Sequence, residues 1–231
     1  MYLHDTMQSI KYFLTKITLK NSLNGRNISK TAVGMIDKES KIKEKKKLIL
    51  EALKNCLMKD VYSNITVQQV ATEAGFSKGG LLHYYNSKEE MYADLIKELF
   101  EEIKYEHERL LRGEIQSKVK VSLSALYGIE KFFIDKKTTR IFINIILYAY
   151  ENEKIMKEIQ KFVRENFDLY KNIIKDSRKE IPARRKNDMS PEVLARIAQI
   201  IVISAGLIES IDPIDFDHTN LVQYVIAMMK G

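Results

Sequence analysis

The stretch Thr66–Met91, TVQQVATEAGFSKGGLLHYYNSKEEM, decides the fold. Thr66 and Gln69 form the T-x-x-Q capping pattern that opens a short helix, with Val67, Val70 and Ala71 on its inner face. Gly75 supplies a residue able to adopt φ > 0 and end that helix. Ser77 caps a second short helix, running from Lys78 to about Tyr85. Val70, Leu81 and Tyr85 point inward, and Ala71 is small where the two helices cross. The outward face of the second helix is Lys78, Gly79, Gly80, Leu82 and His83. Two short helices joined by a brief turn with glycine make a helix-turn-helix. The paired glycines let the backbone approach a partner closely, and a helix N-terminus offers free N–H groups to phosphate. Ser87 and Glu90 repeat the capping pattern and open a longer helix through Met91, Leu95, Leu99 and Ile103.

Outward from this core the reading stays helical. Upstream, Ile49, Ala52, Leu53, Cys56 and Leu57 recur at three- and four-residue spacing, an apolar stripe on which Cys56 is a buried structural residue. Downstream, breaks fall at Gly113, Asp135–Lys137, Glu151–Glu153, Ile181–Ser190 and Asp212–Asp217. Between them lie apolar helical runs at 117–134, 138–150, 154–179, 191–211 and 218–230. Ser190-Pro191 is a cap followed by proline in the first turn. The 231 residues hold only 9 Gly and 3 Pro, none of the prolines before Pro182. A sheet protein needs turn residues every few positions, so the chain is all-α. Residues 1–34 show no sustained helical period; the helical pattern begins after Met35-Ile36-Asp37. This suggests that Met35 is the natural start and that the preceding stretch is upstream sequence or a disordered arm.

The formal net charge is +7, and its placement is informative. Residues 1–34 carry +4, residues 35–85 carry +3, and residues 86–231 are neutral. That is the pattern of a polyanion-facing head on a neutral body. The Lys41–Lys47 run holds five lysines and one acid. Read as the start of a helix, it opposes the macrodipole; a phosphate would offset that conflict, and a solvated lysine face is the other reading. A single cysteine excludes an intramolecular disulfide framework and a Cys-based zinc site, which suits the cytoplasm. The longest apolar run, near Ile197–Ile208, is far short of the ~20 residues of a spanning helix, so no membrane partner is expected. No secretory signal is visible.

The segment Ile49–Leu95, with its core Thr66–Met91, resembles the DNA-binding signature of the TetR family of transcriptional regulators. Beyond Leu95 only the layout of helices is similar. The resemblance implies a three-helix N-terminal DNA-binding domain followed by a larger helical ligand-binding and dimerisation domain. It places Ser77, Lys78, Gly79, Gly80, Leu82 and His83 on the recognition helix in the major groove. Thr66, Tyr84 and Lys88 match phosphate-holding positions, and Tyr85 the buried aromatic. Two residues depart from the family pattern: Val61 stands where glycine is common, and Leu82 replaces an often aromatic residue. Leu82 can still meet a thymine methyl.

Signals of catalysis are weak. Gly75–Gly79 matches G-x-S-x-G, but that motif needs a strand before the serine and here a capped helix precedes it. No dinucleotide or Walker fingerprint occurs, and neither a cofactor nor a metal is expected. In the body, the 138–150 run is apolar nearly all round and is expected to be buried on every side. Asn144 interrupts it and must find a partner, either an internal group or a bound molecule. His107, one turn from Ile103 and from Leu111, is an interior histidine or an effector contact. Phe100, His107, Phe133, Asn144, Tyr148, Phe162 and Tyr170 are the candidate effector pocket, and the aromatic members read equally as core. In the 191–211 run a second apolar stripe, with the last helix, suggests a homodimer interface through Ile200, Ile203, Leu207, Val222, Val225 and Met229. A two-fold dimer would read a palindrome.

The expected organisation is an extension over residues 1–36, a helix-turn-helix domain over 37–86 and an effector and dimer body over 87–231. The expected function is a homodimeric repressor that leaves double-stranded operator DNA when a small-molecule effector binds. The alternatives are a helical module using the head on a protein partner and, more remotely, an enzyme.

Overall fold

The computed structural model describes residues 30–179, 189–213 and 218–230, and among these residues all regular structure is helical. The order is α1 Lys30–Leu57, a 3₁₀ turn Tyr62–Asn64, α2 Val67–Glu73, α3 Lys78–Leu82, α4 Lys88–Leu110 and α5 Ser117–Ile129. A π-turn, Glu130–Ile134, then leads to α6 Lys136–Ala149, α7 Glu153–Lys179, α8 Pro191–Ile211 and α9 His218–Lys230. Two compact units divide at Lys47/Leu48, within α1. In the first, Lys30–Lys47 is helical, and Glu39–Lys45 and Lys47 are exposed. The second, Leu48–Gly231, carries everything that follows.

Local chemistry sets the boundaries. Thr66 Oγ1 accepts from the Gln69 backbone N–H while the Gln69 side chain accepts from Thr66 N–H, so two orphan donors at the start of α2 are satisfied. At its end Gly75 has φ +73. Phe76 N–H then reaches Ala71 O at 2.8 Å and Gly75 N–H reaches Thr72 O at 3.2 Å, the paired bonds of a Schellman turn. Ser77 caps α3 through Gly80 N–H, and Ser87 caps α4 through Glu90 N–H. The second capping pattern is shifted by one residue: the Glu90 carboxylate accepts from Asn86 N–H at 2.9 Å rather than from Ser87. Asp135 caps α6 through the N–H groups of Lys137 and Thr138. Ser190-Pro191 opens α8 as its sequence indicates.

Two apolar clusters hold the second unit together. One unites Leu53, Leu57, Val70, Leu81 and Tyr85 of the head with Met91, Leu95, Phe100, Phe142 and Phe162 of the body. The core therefore runs unbroken past residue 86 into α4, and the head is not packed as an island. The other joins α5, the second half of α7, α8 and α9 around Val121, Ile129, Ile174, Leu194 and Val202. Phe132, in the π-turn, packs against both.

Several expectations change. Because α1 begins at Lys30, the Lys41–Lys47 run lies inside a helix, and the supposed conflict with the N-terminal dipole falls away. The 117–134 run is an α-helix ending at Ile129 plus the π-turn, in which Asp135 N–H bonds Glu130 O at 2.8 Å. In α6, expected to be buried all round, Leu147 and Tyr150 at its end are exposed. The 21 residues of α8 are long and apolar enough, by length and composition, to cross a membrane. One face of α8 nonetheless packs into the second cluster through Leu194, Ala195, Ala198 and Val202.

Candidate nucleic-acid interface

The outer surface of α3 is built from small and exposed groups. Lys78, Gly79, Leu82 and His83 are exposed, while Leu81 beneath them is fully buried and anchors the helix. A Cβ at Gly79 would meet no atom within 4 Å, so nothing within the chain requires glycine there. At Gly80 a Cβ would lie 3.1 Å from Ser77 Oγ, the oxygen that caps the helix. Ser77 and Thr66 thus hold the two helix starts through their side chains. Tyr84 is half-buried, with its ring edge-on to Phe76 at 5.8 Å and to His83 at 5.4 Å.

Lys88 stands differently from its expected phosphate role. Its ammonium donates to Tyr62 O at 2.8 Å and Ile65 O at 2.9 Å and lies 4.2 Å from the Tyr62 ring centroid. Two of its three donors are thereby turned inward on the loop before α2.

The seven expected effector residues fall into three groups. Phe100, His107 and Phe162 line a cleft of 740 Å³ between α4 and α7. Its floor is the Phe100–Phe162 stack, with centroids 4.2 Å apart and planes 10° apart. Asp94, Glu101 and Glu108 line it from α4, Lys154 and Lys161 from α7, and Lys104 crosses to Glu165 at 3.0 Å. At one end His107, 2% exposed, sets Nε2 3.0 Å from Ser124 Oγ and stacks on Tyr127. Burial pushes the His107 pKa down to about 4, so the ring is neutral near pH 7. Phe133 and Tyr170 belong instead to the second apolar cluster. Asn144 and Tyr148 face the head: Asn144 Oδ1 accepts from the buried Tyr62 N–H at 3.2 Å, and the Tyr148 ring lies 4.3 Å from that of Tyr62. The amide in the apolar helix therefore finds an internal partner.

The expected dimer residues also separate. Ile200 and Leu207 are exposed, at 55% and 43%. Ile203 is half-buried against the first cluster and Val222 against the second. Val225 is fully buried, a core residue of its own chain, because its turn of α9 faces the second cluster. The side chain of Met229 lies outside the described residues. Sequence reasoning did not single out Ile211 and Tyr224, which are 75% and 66% exposed, and it set Ile208 on the same apolar stripe as Leu194, although Leu194 is buried and Ile208 is 60% exposed. Nor did it find Arg140, whose Nε donates to Leu57 O at 3.1 Å. Its signal was available: Lys137, Arg140, Asn144 and Tyr148 recur at three- and four-residue spacing on an otherwise apolar helix. Among the described residues no group of His, Cys, Asp and Glu is placed to hold a metal ion.

Comparison with known proteins agrees with this geometry. Residues 49–95 match the family described as bacterial regulatory proteins, tetR family. No curated protein sequence matches the chain. Among solved structures, it is similar to a protein of Saccharomonospora viridis described as a transcriptional regulator, in complex with choline. That likeness has a TM-score of 0.72 at 12% identity, over 81% of this chain and 96% of the other. It is also similar to NalD, the secondary repressor of the MexAB-OprM multidrug efflux pump in Pseudomonas aeruginosa (TM-score 0.62, 17% identity, 81% and 96% covered). A third is the fatty acid degradation regulator FadR from Bacillus halodurans (TM-score 0.60, 16% identity, 81% and 95% covered). At these identities the structures speak for the fold, and the head motif speaks for the family. Residues 49–95, with their capped helix-turn-helix, are thus those of the DNA-binding head of the tetR family of bacterial regulatory proteins, and the helical body has the fold of solved transcriptional regulators.

Proposed function

We propose that the protein is a homodimeric repressor that holds a palindromic operator with α3 and is released by a small molecule bound in the α4–α7 cleft. The observation that carries the DNA part is the exposed, nearly bulk-free start of α3 above a fully buried Leu81. Ser77, Lys78, Gly79, Gly80, Leu82 and His83 face the bases; Thr66 and Tyr84 stand beside the phosphates. The exposed Ile200, Leu207, Ile208 and Ile211 of α8 support a dimer, because so apolar a face is costly in water. The cleft supports effector release: α4 forms one wall and also carries the last residues of the head motif, so a ligand that parts α4 from α7 acts on the head. One chain of this fold is in complex with choline, and another is a repressor of an efflux pump. The ligand acts by binding two conformations with different affinity.

The test is fluorescence anisotropy with duplexes from the promoter beside the gene, across a salt series. Expected is tight binding to a palindrome whose log K falls linearly with log salt, as phosphate neutralisation requires. Lys78→Ala reduces the steepness of that slope by about one. Salt-independent or absent binding would refute the reading.

A further inference from the structure

The turn before the helix-turn-helix is gripped from both sides by the body. Tyr62 is its hub. The Tyr62 N–H, buried away from water, donates to Asn144 Oδ1 on α6 at 3.2 Å. Its carbonyl accepts from Lys88 Nζ on α4 at 2.8 Å, and the same ammonium reaches Ile65 O at 2.9 Å. The Tyr62 ring joins a three-ring cluster with Tyr92 of α4, stacked at 4.2 Å, and Tyr148 of α6, tilted at 4.3 Å, which are themselves 5.3 Å apart. Asn144 is itself fixed, because its Nδ2 donates to Arg140 O at 3.1 Å, while Arg140 Nε caps Leu57 O at the end of α1. The residue after Ile65 is Thr66, whose capping box starts α2. The entry to the reading helices is thus held at Tyr62 and Ile65 by groups on α4 and α6. An apolar side chain would suit the interior of α6 better than an amide, unless the amide serves the buried N–H that faces it.

We infer that Asn144 and Lys88 are positioning residues for DNA recognition. They hold the Tyr62–Ile65 turn on the body and so set the separation of the two reading heads, and with it the half-site spacing the protein selects. The inference rests on the dimeric operator reading above. Neither residue touches DNA in this role: each acts through Tyr62. A lysine holding phosphate and a lysine holding a turn are told apart by their salt dependence and by their dependence on spacing.

The experiment measures affinity for a set of duplexes with identical half-sites and centre spacings altered by one base pair in either direction. Wild type, Lys88→Met and Asn144→Leu are compared, with Lys88→Arg as the variant that restores donors. Wild type is expected to favour one spacing. Lys88→Met, which removes two charge-assisted hydrogen bonds, and Asn144→Leu, which removes one buried one, each lose about tenfold or more at that spacing and much less at the others. The preference flattens, the salt slope stays that of wild type, and Lys88→Arg recovers part of the preference. Should Asn144→Leu fail to fold, Lys88→Met alone carries the test, since its half-buried stem is retained. Equal loss at every spacing, a salt slope shallower by about one, or no loss at all overturns the inference and leaves the repressor reading intact. A wild-type protein that binds none of the duplexes overturns both.

Discussion

His107 shows what one buried residue can impose on the chain. It sits 3.0 Å from Ser124 Oγ, stacks on Tyr127 and lies near Tyr170, whose hydroxyl donates to Ser124 O at 3.4 Å. With its pKa pushed down to about 4 by burial, the folded protein takes up this proton later than the unfolded chain, whose histidine titrates near 6.5. The neutral ring contributes its full stability above pH 6.5 and loses it as the pH falls toward 4. Urea unfolding at pH 7 and pH 5 is expected to show about 2 kcal/mol of acid destabilisation from this residue. His107→Gln, which cannot titrate, should have a correspondingly flatter pH profile; an unchanged profile would contradict the assignment. The spacing of His107 from Ile103 and Leu111 made an interior position legible. Its partner was not, because Ser124 lies on another helix, 17 residues away.

At the scale of the element, the most exacting contact is between α8 and the π-turn. A Cβ on Gly206 would fall 1.6 Å from Phe132 O and 2.8 Å from Phe132 C, and both obstacles are backbone. The π-turn carries that carbonyl to α8, and Thr139 Oγ1 satisfies it at 3.0 Å. Gly206→Ala must therefore push two helices apart and is expected to cost about 3 kcal/mol or more, at the upper end for overpacked cores. A thermal melt should show a loss of roughly 6–12 °C for a chain of this size. Gly79→Ala, whose Cβ meets nothing, should leave the melting temperature within about 2 °C, separating close packing from helix propensity. Equal shifts would refute the packing argument. None of this was legible in residues 117–134, which have a continuous helical pattern. The extra residue in the turn follows from how α8 docks, and hydrophobic period does not report that.

For the whole molecule, the question is what covers the outer face of α8 and α9. Ile200, Leu207, Ile208, Ile211 and Tyr224 are all exposed, while the inner faces of the same helices share one core through Leu194, Val202 and Val225. The double substitution Ile200→Glu and Leu207→Glu places charge only where the single chain is already open. Sedimentation should show a monomer with a melting curve close to wild type, and affinity for a palindrome should fall at least tenfold, since half the contacts go. A dimer that survives both substitutions would place the interface elsewhere. The amino-acid sequence by itself determined the helix-turn-helix, because its caps and glycine turn are made between residues within five positions of one another. It also determined that the regular structure of the other described residues is helical. Only the tertiary structure decided that α8 buries Leu194, Ala195, Ala198 and Val202, which aromatics met in a cleft, and that Asn144 meets the Tyr62 N–H of the head. Those outcomes depend on partners far away in the chain, 82 residues for Asn144 and Tyr62. A helical period fixes the face a side chain occupies, but the packing of whole helices fixes what that face meets.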